Sequence, residues 1–245
     1  MGFDWTFWVL AGIGVLITGI SKSGFAGGIG VITVPLLALQ IGPIKAAAIM
    51  LPLLIIMDAL SVRAWWGKQL NAQLKVLLPT AVFGIFCGYL IFDYLNDEVL
   101  RIVLGALSIS FACWGLLKGG ALARFTSPVV GRVCGAVAGF TSFLAHAGGP
   151  PLNFYLIPQQ LPREQFLATA VVFLASINLV KLVPYMALGQ INSDNLLIGV
   201  ILAPIAWIGV KLGLSIQRRL NDQLFYRIIL IMLAIVGAKL MWDGL

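Results

Sequence analysis

Apolar residues run along this chain in long blocks separated by short polar stretches. Residues 46–64, 74–93, 99–117, 165–188, 196–215 and 223–242 each approach or reach the about 20 apolar residues that a helix needs to cross a bilayer. They predict six full transmembrane helices. Two further regions have a different pattern. Residues 5–21 are apolar, Ser21-Lys22-Ser23-Gly24-Phe25-Ala26-Gly27-Gly28 interrupts, and 29–41 is apolar again. Residues 128–145 are apolar, His146-Ala147-Gly148-Gly149-Pro150-Pro151 interrupts, and 152–161 is apolar again. At about 1.5 Å per residue the second arm of each is too short to cross, so each region reads as a hairpin or a broken helix.

The charges between the blocks decide how the hairpins run. If the loop with Arg63, Lys68 and Lys75 is cytoplasmic, the loop with Asp93, Asp97 and Glu98 lies outside. Lys118, Arg124 and Arg132 then return inside. With 128–161 as a hairpin that comes back to its own side, Arg163 is inside, Asp194 outside, and Arg218, Arg219 and Arg227 inside. Every sign then obeys the excess of Lys and Arg in cytoplasmic loops. A single crossing by 128–161 would put Arg218 and Arg219 outside. Two full crossings would give the same sidedness, so the depth of the hairpin stays open. Both termini are expected on the extracytoplasmic side.

Each half is thus one hairpin plus three spans. Three is odd, so the second half enters the membrane from the opposite face. Ala26-Gly27-Gly28 recurs as Ala147-Gly148-Gly149, and Gly67-Lys68-Gln69-Leu70-Asn71 resembles Gly189-Gln190-Ile191-Asn192. The expected fold is all-α integral membrane, a single domain over 1–245. It is built of two inverted repeats, about 1–120 and 125–245, each a Gly-rich broken-helix hairpin plus three transmembrane helices. Helices broken at matching positions of inverted repeats are the architecture of secondary transporters, with the site where the broken ends meet.

Composition agrees. Hydrophobic residues make up 60% of the chain and charged residues 10%, with mean hydropathy +1.02. A soluble domain carries roughly 25% charged residues, so this surface is made for lipid. The N-terminus lacks the basic segment and small-residue cleavage site of a secretory signal, and the first apolar run is expected to be retained. The net charge of +7 comes from residues scattered singly or in pairs between spans. They act as topology signals, and no nucleic-acid partner is expected. Cys87, Cys113 and Cys134 lie in or beside apolar runs without metal-ligand spacing, and packing is their expected role. No metal and no cofactor is expected: there is no phosphate-binding loop and no soluble ATPase domain.

The two breaks carry the candidate chemistry. Non-helical backbone cannot face lipid, because its amides would lack partners. Glycine lets main-chain amides approach a ligand, and the helix after each break offers free N–H groups and a positive dipole end. That combination favours an anion. Pro150 and Pro151 suit the first turn of such a helix. Gly24, Gly27, Gly28, Gly148 and Gly149 are expected to shape the breaks, although small residues serve close helix packing equally well. Ser21 and Ser23 could add hydroxyl donors. Lys22 at the first tip is a counter-charge for an anion, since a lysine at membrane depth needs a partner or a purpose; a shallow hairpin or snorkelling is the bland alternative. His146, the single histidine, could carry a proton or simply be a hydrogen-bonded structural residue. Asn178 and Lys181 lie one turn apart on one helix face and would complete the site. Asp58, deep in its span, could pair with Lys22 or Lys181, or be a proton site; His146 or Asp58 would be the residue that exchanges protons.

At these residues the chain resembles the sulfite exporter TauE/SafE family over nearly its whole length. The resemblance rests on Gly24-Phe25-Ala26-Gly27-Gly28-Ile29-Gly30 leading to Val34-Pro35-Leu36-Leu37. It rests also on Gly135 through Gly139 leading to Gly148-Gly149-Pro150-Pro151, and on Ala168-Thr169-Ala170 through Asn178 and Lys181 to Pro184-Tyr185 and Gly189. His146 departs from the glycine-like residue expected at its place in the second motif. The resemblance implies transport of sulfite, thiosulfate or an organosulfonate such as sulfoacetate, coupled to a proton gradient, in the cell membrane of a bacterium or archaeon.

The expected function is therefore secondary transport of a small sulfur-containing anion by alternating access, not enzymatic catalysis. An anion channel with the same Gly-rich tips lining a pore is the alternative. An intramembrane enzyme using His146 with Asp58 or a serine has the least support. The partners expected are the anion and membrane lipid. A homo-oligomer is left open, because lipid-facing and partner-facing apolar surfaces look alike.

Overall fold

The structure, a computed structural model, describes residues 4–28, 30–94, 126–219 and 221–244, and positions 98, 99, 102, 105, 106, 109, 110, 112, 113 and 116. Its described residues contain helices and turns and no strand. In chain order the helices are α1 (Trp5–Gly24), α2 (Thr33–Ile41), α3 (Pro43–Trp65), α4 (Asn71–Leu90), α5 (Pro128–Ala145), α6 (Gly149–Leu156), α7 (Arg163–Ala187), α8 (Ser193–Gln217) and α9 (Asp222–Gly244). Most of the expected span 99–117 lies outside the described residues, as do Asp97, Lys118 and Arg124. The described positions between 98 and 116 are all helical, and Gly105 sits close against Gly237 of α9.

Among the described residues, six helices are long and apolar enough to cross a membrane: α1, α3, α4, α5, α7 and α8. The chain is a multi-pass membrane protein. The first arm of each hairpin is thus of full spanning length, and each second arm, α2 and α6, is short. The first break also begins later than the glycine pattern suggests. Ser21 to Gly24 stay in the last turn of α1, where the Ser23 hydroxyl donates to the Gly19 carbonyl one turn back. Irregular backbone is confined to 25–28 and 146–148.

Both breaks close in the same way. In the first, the Gly27 amide donates to the Ser21 carbonyl, six residues back, with Ala26 left-handed at φ 52°. In the second, the Ala147 amide donates to the Thr141 carbonyl, again six back, with His146 left-handed at φ 54°. This is the six-to-one closure of a helix C-terminus. It equates Ala26 with His146, one residue earlier than the match of the two Ala-Gly-Gly strings. Hydroxyls then pin the second arms back. Thr33 Oγ1 donates to the Gly14 carbonyl at 2.8 Å, and Thr141 Oγ1 donates to the Ala147 carbonyl at 2.9 Å.

Lipid offers helices no hydrophobic reason to associate, so close approach depends on small residues. Two interfaces use this device. Helix α1 runs along α8 with Gly19 against Gly209 and Gly24 against Gly213. Helix α4 runs along α5 with Gly84 against Ala136 and Gly139 against Ala81. Between these pairs, α3 packs on α7, antiparallel to it. The end of α3 and the start of α7 line one cavity with Lys68 and Arg218, here the basic end. The start of α3 and the residues after α7 line another at the far end.

The glycine interfaces make a direct prediction. A Cβ on Gly139 collides with the Ala81 carbonyl, whereas one on Gly199 meets only Pro52 Cβ at 3.6 Å, an ordinary contact. Gly139→Val should destabilise by roughly 1–3 kcal/mol, seen as a lower Tm in detergent, and Gly199→Ala should leave Tm unchanged. Equal Tm values for both variants would contradict the packing described.

Candidate functional site

Lys22 lies in the last turn of α1 and Asp58 two-thirds of the way along α3. Their side chains meet at 2.5 Å, Nζ to Oδ1, each only 6% exposed. The other carboxylate oxygen, Oδ2, accepts from the Asn178 side-chain amide of α7 at 2.6 Å. Of the two partners open to Asp58, the structure thus chooses Lys22. The single carboxylate joins three elements: the first hairpin, α3 and α7.

Lys181, one turn beyond Asn178, is fully buried and points elsewhere. Its Nζ has three acceptors: the Ser142 carbonyl at 2.9 Å, the Ser142 hydroxyl at 2.9 Å and His146 Nδ1 at 2.8 Å. The other ring nitrogen, His146 Nε2, lies 2.8 Å from the Ala47 carbonyl of α3. A carbonyl oxygen only accepts, so Nε2 carries the hydrogen. In a neutral ring Nδ1 is then the acceptor for Lys181. Three acceptors satisfy the three donors of an ammonium, which is how a buried lysine is tolerated.

The two clusters face one small cavity of about 20 Å³, room for one water molecule. Lys22, Gly27, Ser142, His146, Gly149 and Asn178 all border it. The breaks touch there: a Cβ on Gly149 would come 2.6 Å from the Gly27 carbonyl oxygen. Glycine is required on steric grounds at this crossing. Gly27 itself is left-handed at φ 73°.

Other residues expected at the site have different surroundings. The Ser23 hydroxyl donates to the carbonyls of Gly19 and Val210, 2.9 Å each, and so faces α8. The Ser21 hydroxyl accepts the Gly30 amide at 2.8 Å. Gly24 packs against Gly213, outside the cavity. The amides of Gly27, Gly28 and Gly30 donate within the first break, to Ser21 O, Phe25 O and Ser21 Oγ. The first break therefore contributes a lysine, with its amides already engaged. At the second break Gly148 packs beside Ser142, and Gly149 opens α6 at the cavity wall.

Sequence reasoning missed Ser142, Thr18 and the Ala47 carbonyl. A signal for Ser142 existed. With Ala26 set on His146, Ser142 occupies the place of Lys22. Thr18 lines the cavity and shares a 2.5 Å hydrogen bond with Thr33; one hydroxyl in an apolar helix gives no such hint.

Breaking a buried ion pair leaves a charge without its partner, at about 3–5 kcal/mol, whereas replacing both partners with apolar residues can be neutral. Asp58→Ala should therefore lower stability by about that much, and Lys22→Met with Asp58→Leu should recover most of it, read as Tm in detergent. If the double variant is no more stable than Asp58→Ala, the pair is not what holds these helices together.

With this geometry in place, comparisons with known proteins can be set beside it. The family described as "Sulfite exporter TauE/SafE" matches residues 10–240. A curated relative, "Probable membrane transporter protein YunE" of Bacillus subtilis (strain 168), is 25% identical over 190 residues, 73% of this chain and 67% of the relative. No solved structure matches.

Proposed function

Because the chain belongs to the sulfite exporter TauE/SafE family, we propose that it is a secondary transporter of a small sulfur-containing anion, working by alternating access. Family membership makes it a membrane transporter rather than an enzyme. The observation that carries the finer reading is the ratio of buried charges. Lys22 lines one small cavity, Lys181 stands behind its wall on Ser142 and His146, and a single carboxylate, Asp58, stands behind Lys22 and Asn178. An anion placed there brings the buried charges to two positive and two negative, with Lys22 shared between Asp58 and the anion. Sulfite, thiosulfate and a sulfonate such as sulfoacetate present the oxygen acceptors that two ammonium groups and the amides of Gly148 and Gly149 can serve.

Coupling to protons follows from the same contacts. A proton on His146 Nδ1 removes the acceptor that Lys181 uses, which frees that ammonium for the anion. A proton on Asp58 frees Lys22. Either event ties proton binding to anion binding, and both residues border the hairpin tips.

Support for two inverted repeats comes from a constant spacing of 120 residues. It relates Ala26 to His146, Lys22 to Ser142, Asp58 to Asn178 and Ser61 to Lys181. The pairing of α1 with α8 is matched by that of α4 with α5, and α3 lies antiparallel to its counterpart α7. The basic end is read as cytoplasmic on the charge rule, with both termini outside and the inner membrane of a bacterium or archaeon as the location. A cavity with room for one water favours a carrier over an open pore. An anion must wait for one wall to part.

The test is flux in proteoliposomes with sulfite, sulfate, thiosulfate and sulfonates, under an imposed pH gradient, for the parent, Lys22→Ala and His146→Ala. At least one sulfur anion should move at a rate that follows the pH gradient. Each variant should lose roughly tenfold or more of that rate, as truncating a buried charged partner does. Parental rates for every anion in both variants would remove these residues from the site, and high unitary conductance would make the protein a channel.

A further inference from the structure

Two aromatic side chains outside the cavity make the same bond at opposite ends of it. The Trp65 indole Nε1–H donates to the Ser23 carbonyl at 3.0 Å. The Tyr185 hydroxyl donates to the Phe143 carbonyl at 2.7 Å. Both side chains are buried. The 120-residue spacing relates donor to donor, 65 to 185, and acceptor to acceptor, 23 to 143. Each acceptor directly follows a cavity residue, Lys22 in one case and Ser142 in the other. Each donor stands at the last turn of the central helix of its half.

The two donors face different openings. Trp65 lines the basic-end cavity of about 320 Å³ together with Arg163, Arg218 and the ion pair of Lys68 with Glu164, which leaves a net positive lining. Tyr185 stacks on His146, ring centroids 6.0 Å apart and planes at 26°, and its carbonyl accepts the amide of Gln190. Gln190 lines the far-end cavity of about 470 Å³. Trp65 therefore ties the carbonyl next to Lys22 to one basin, and Tyr185 ties the carbonyl next to Ser142 to the residue that borders the other.

We propose that Trp65 and Tyr185 are paired latches, Trp65 holding the first hairpin tip shut toward the basic end and Tyr185 holding the second shut toward the far end. This deepens the alternating-access reading and rests on it. With both bonds formed the chamber is occluded. Release of the Ser23 carbonyl by Trp65 lets the turn bearing Lys22 move and opens the chamber to Lys68, Arg163 and Arg218, a basic vestibule suited to anions. Release of the Phe143 carbonyl by Tyr185 lets the turn bearing Ser142 and His146 move, and opens the other side. Removing one donor leaves a buried carbonyl unsatisfied in the closed form only, so it biases the protein toward opening on that side.

Sided cysteine labelling tests this without knowledge of the substrate. Leu174, on the chamber wall, becomes the target as Leu174→Cys, with Cys87, Cys113 and Cys134 each replaced by alanine. A membrane-impermeant methanethiosulfonate is applied to intact cells and to inverted vesicles. Trp65→Phe should raise the labelling rate roughly 5- to 10-fold from the basic end alone. Tyr185→Phe should do so from the far end alone. Trp65→Tyr should return the parental rate, because a tyrosine already serves as donor at the equivalent position. No increase, an increase from one shared side, or an increase from both sides at once, as a loosened fold would give, overturns the latches. The transporter reading is judged separately, by parental flux. Flux without sided labelling defeats the latches alone, and sided labelling without flux of any sulfur anion defeats the transporter reading alone.

Discussion

A polypeptide in hydrocarbon must satisfy its main-chain hydrogen bonds internally, and this chain breaks two helices at membrane depth. That constraint organises the rest. Each broken end closes on itself through a six-residue hydrogen bond, at Ser21 and at Thr141. Hydroxyls of Thr33 and Thr141 then pin the returning arms. What remains is irregular backbone that can be buried only against another surface of the same kind. The two tips therefore press together at Gly27 and Gly149, where a side chain would not fit. The paired glycine seams, α1 on α8 and α4 on α5, bring the long arms close enough for the tips to meet.

Burying the tips also buries charge, and here the two halves differ. In the first half the broken helix carries the lysine, Lys22, and the central helix carries Ser61. In the second the broken helix carries Ser142 and the central helix carries Lys181. Lysine and serine have exchanged places across the 120-residue spacing. Each half thus buries an ammonium, Lys22 on the cavity wall and Lys181 behind Ser142 and His146. Asp58 and Asn178 occupy equivalent places and bond to each other at 2.6 Å. A carboxylate at both positions would cancel the lysines, and an amide at both would leave Lys22 unpaired when the chamber is empty. One of each gives a buried pair and leaves one ammonium in excess, which is the charge balance the proposed anion would complete.

Much of this was legible in the sequence. A lysine inside a run of apolar residues, or an aspartate in the middle of a span, stands out because lipid makes it costly. The glycine strings mark the breaks for the same reason. Family membership was legible in those strings together with the span that follows the second. The choice between Lys22 and Lys181 as the partner of Asp58 was not, because both are within a plausible reach along the chain. Nor was the role of the main-chain donors. Glycine-rich breaks suggest free amides, yet those of Gly27, Gly28 and Gly30 are consumed inside the break. Ser21 and Ser23 look like ligands in a list of polar residues, but a hydroxyl in a helix can turn to any nearby carbonyl, and Ser23 turns to Gly19 and Val210. Trp65 and Tyr185 were hidden for a different reason. Aromatic residues at the ends of apolar spans are common, and what sets these two apart is the carbonyl each one reaches.

The register of the proposed repeat differs between the glycine strings and the hydrogen bonds. Matching Ala26-Gly27-Gly28 to Ala147-Gly148-Gly149 maximises identity, at a spacing of 121. The hydrogen bonds instead match the residues that do the same physical work. Left-handed Ala26 falls on left-handed His146, and the Trp65 and Tyr185 donors and their carbonyls fall in line at 120. Identity at glycines is weak evidence of register, since several glycines stand side by side in both strings. A left-handed residue that closes a helix is strong evidence, because one place in each break requires it. At that place the second half has a histidine and the first an alanine. The turn tolerates either side chain, so the turn itself does not require histidine. Its ring instead bridges the Ala47 carbonyl of α3 and Lys181 of α7, so the second tip is held to both long helices that pack between the glycine seams.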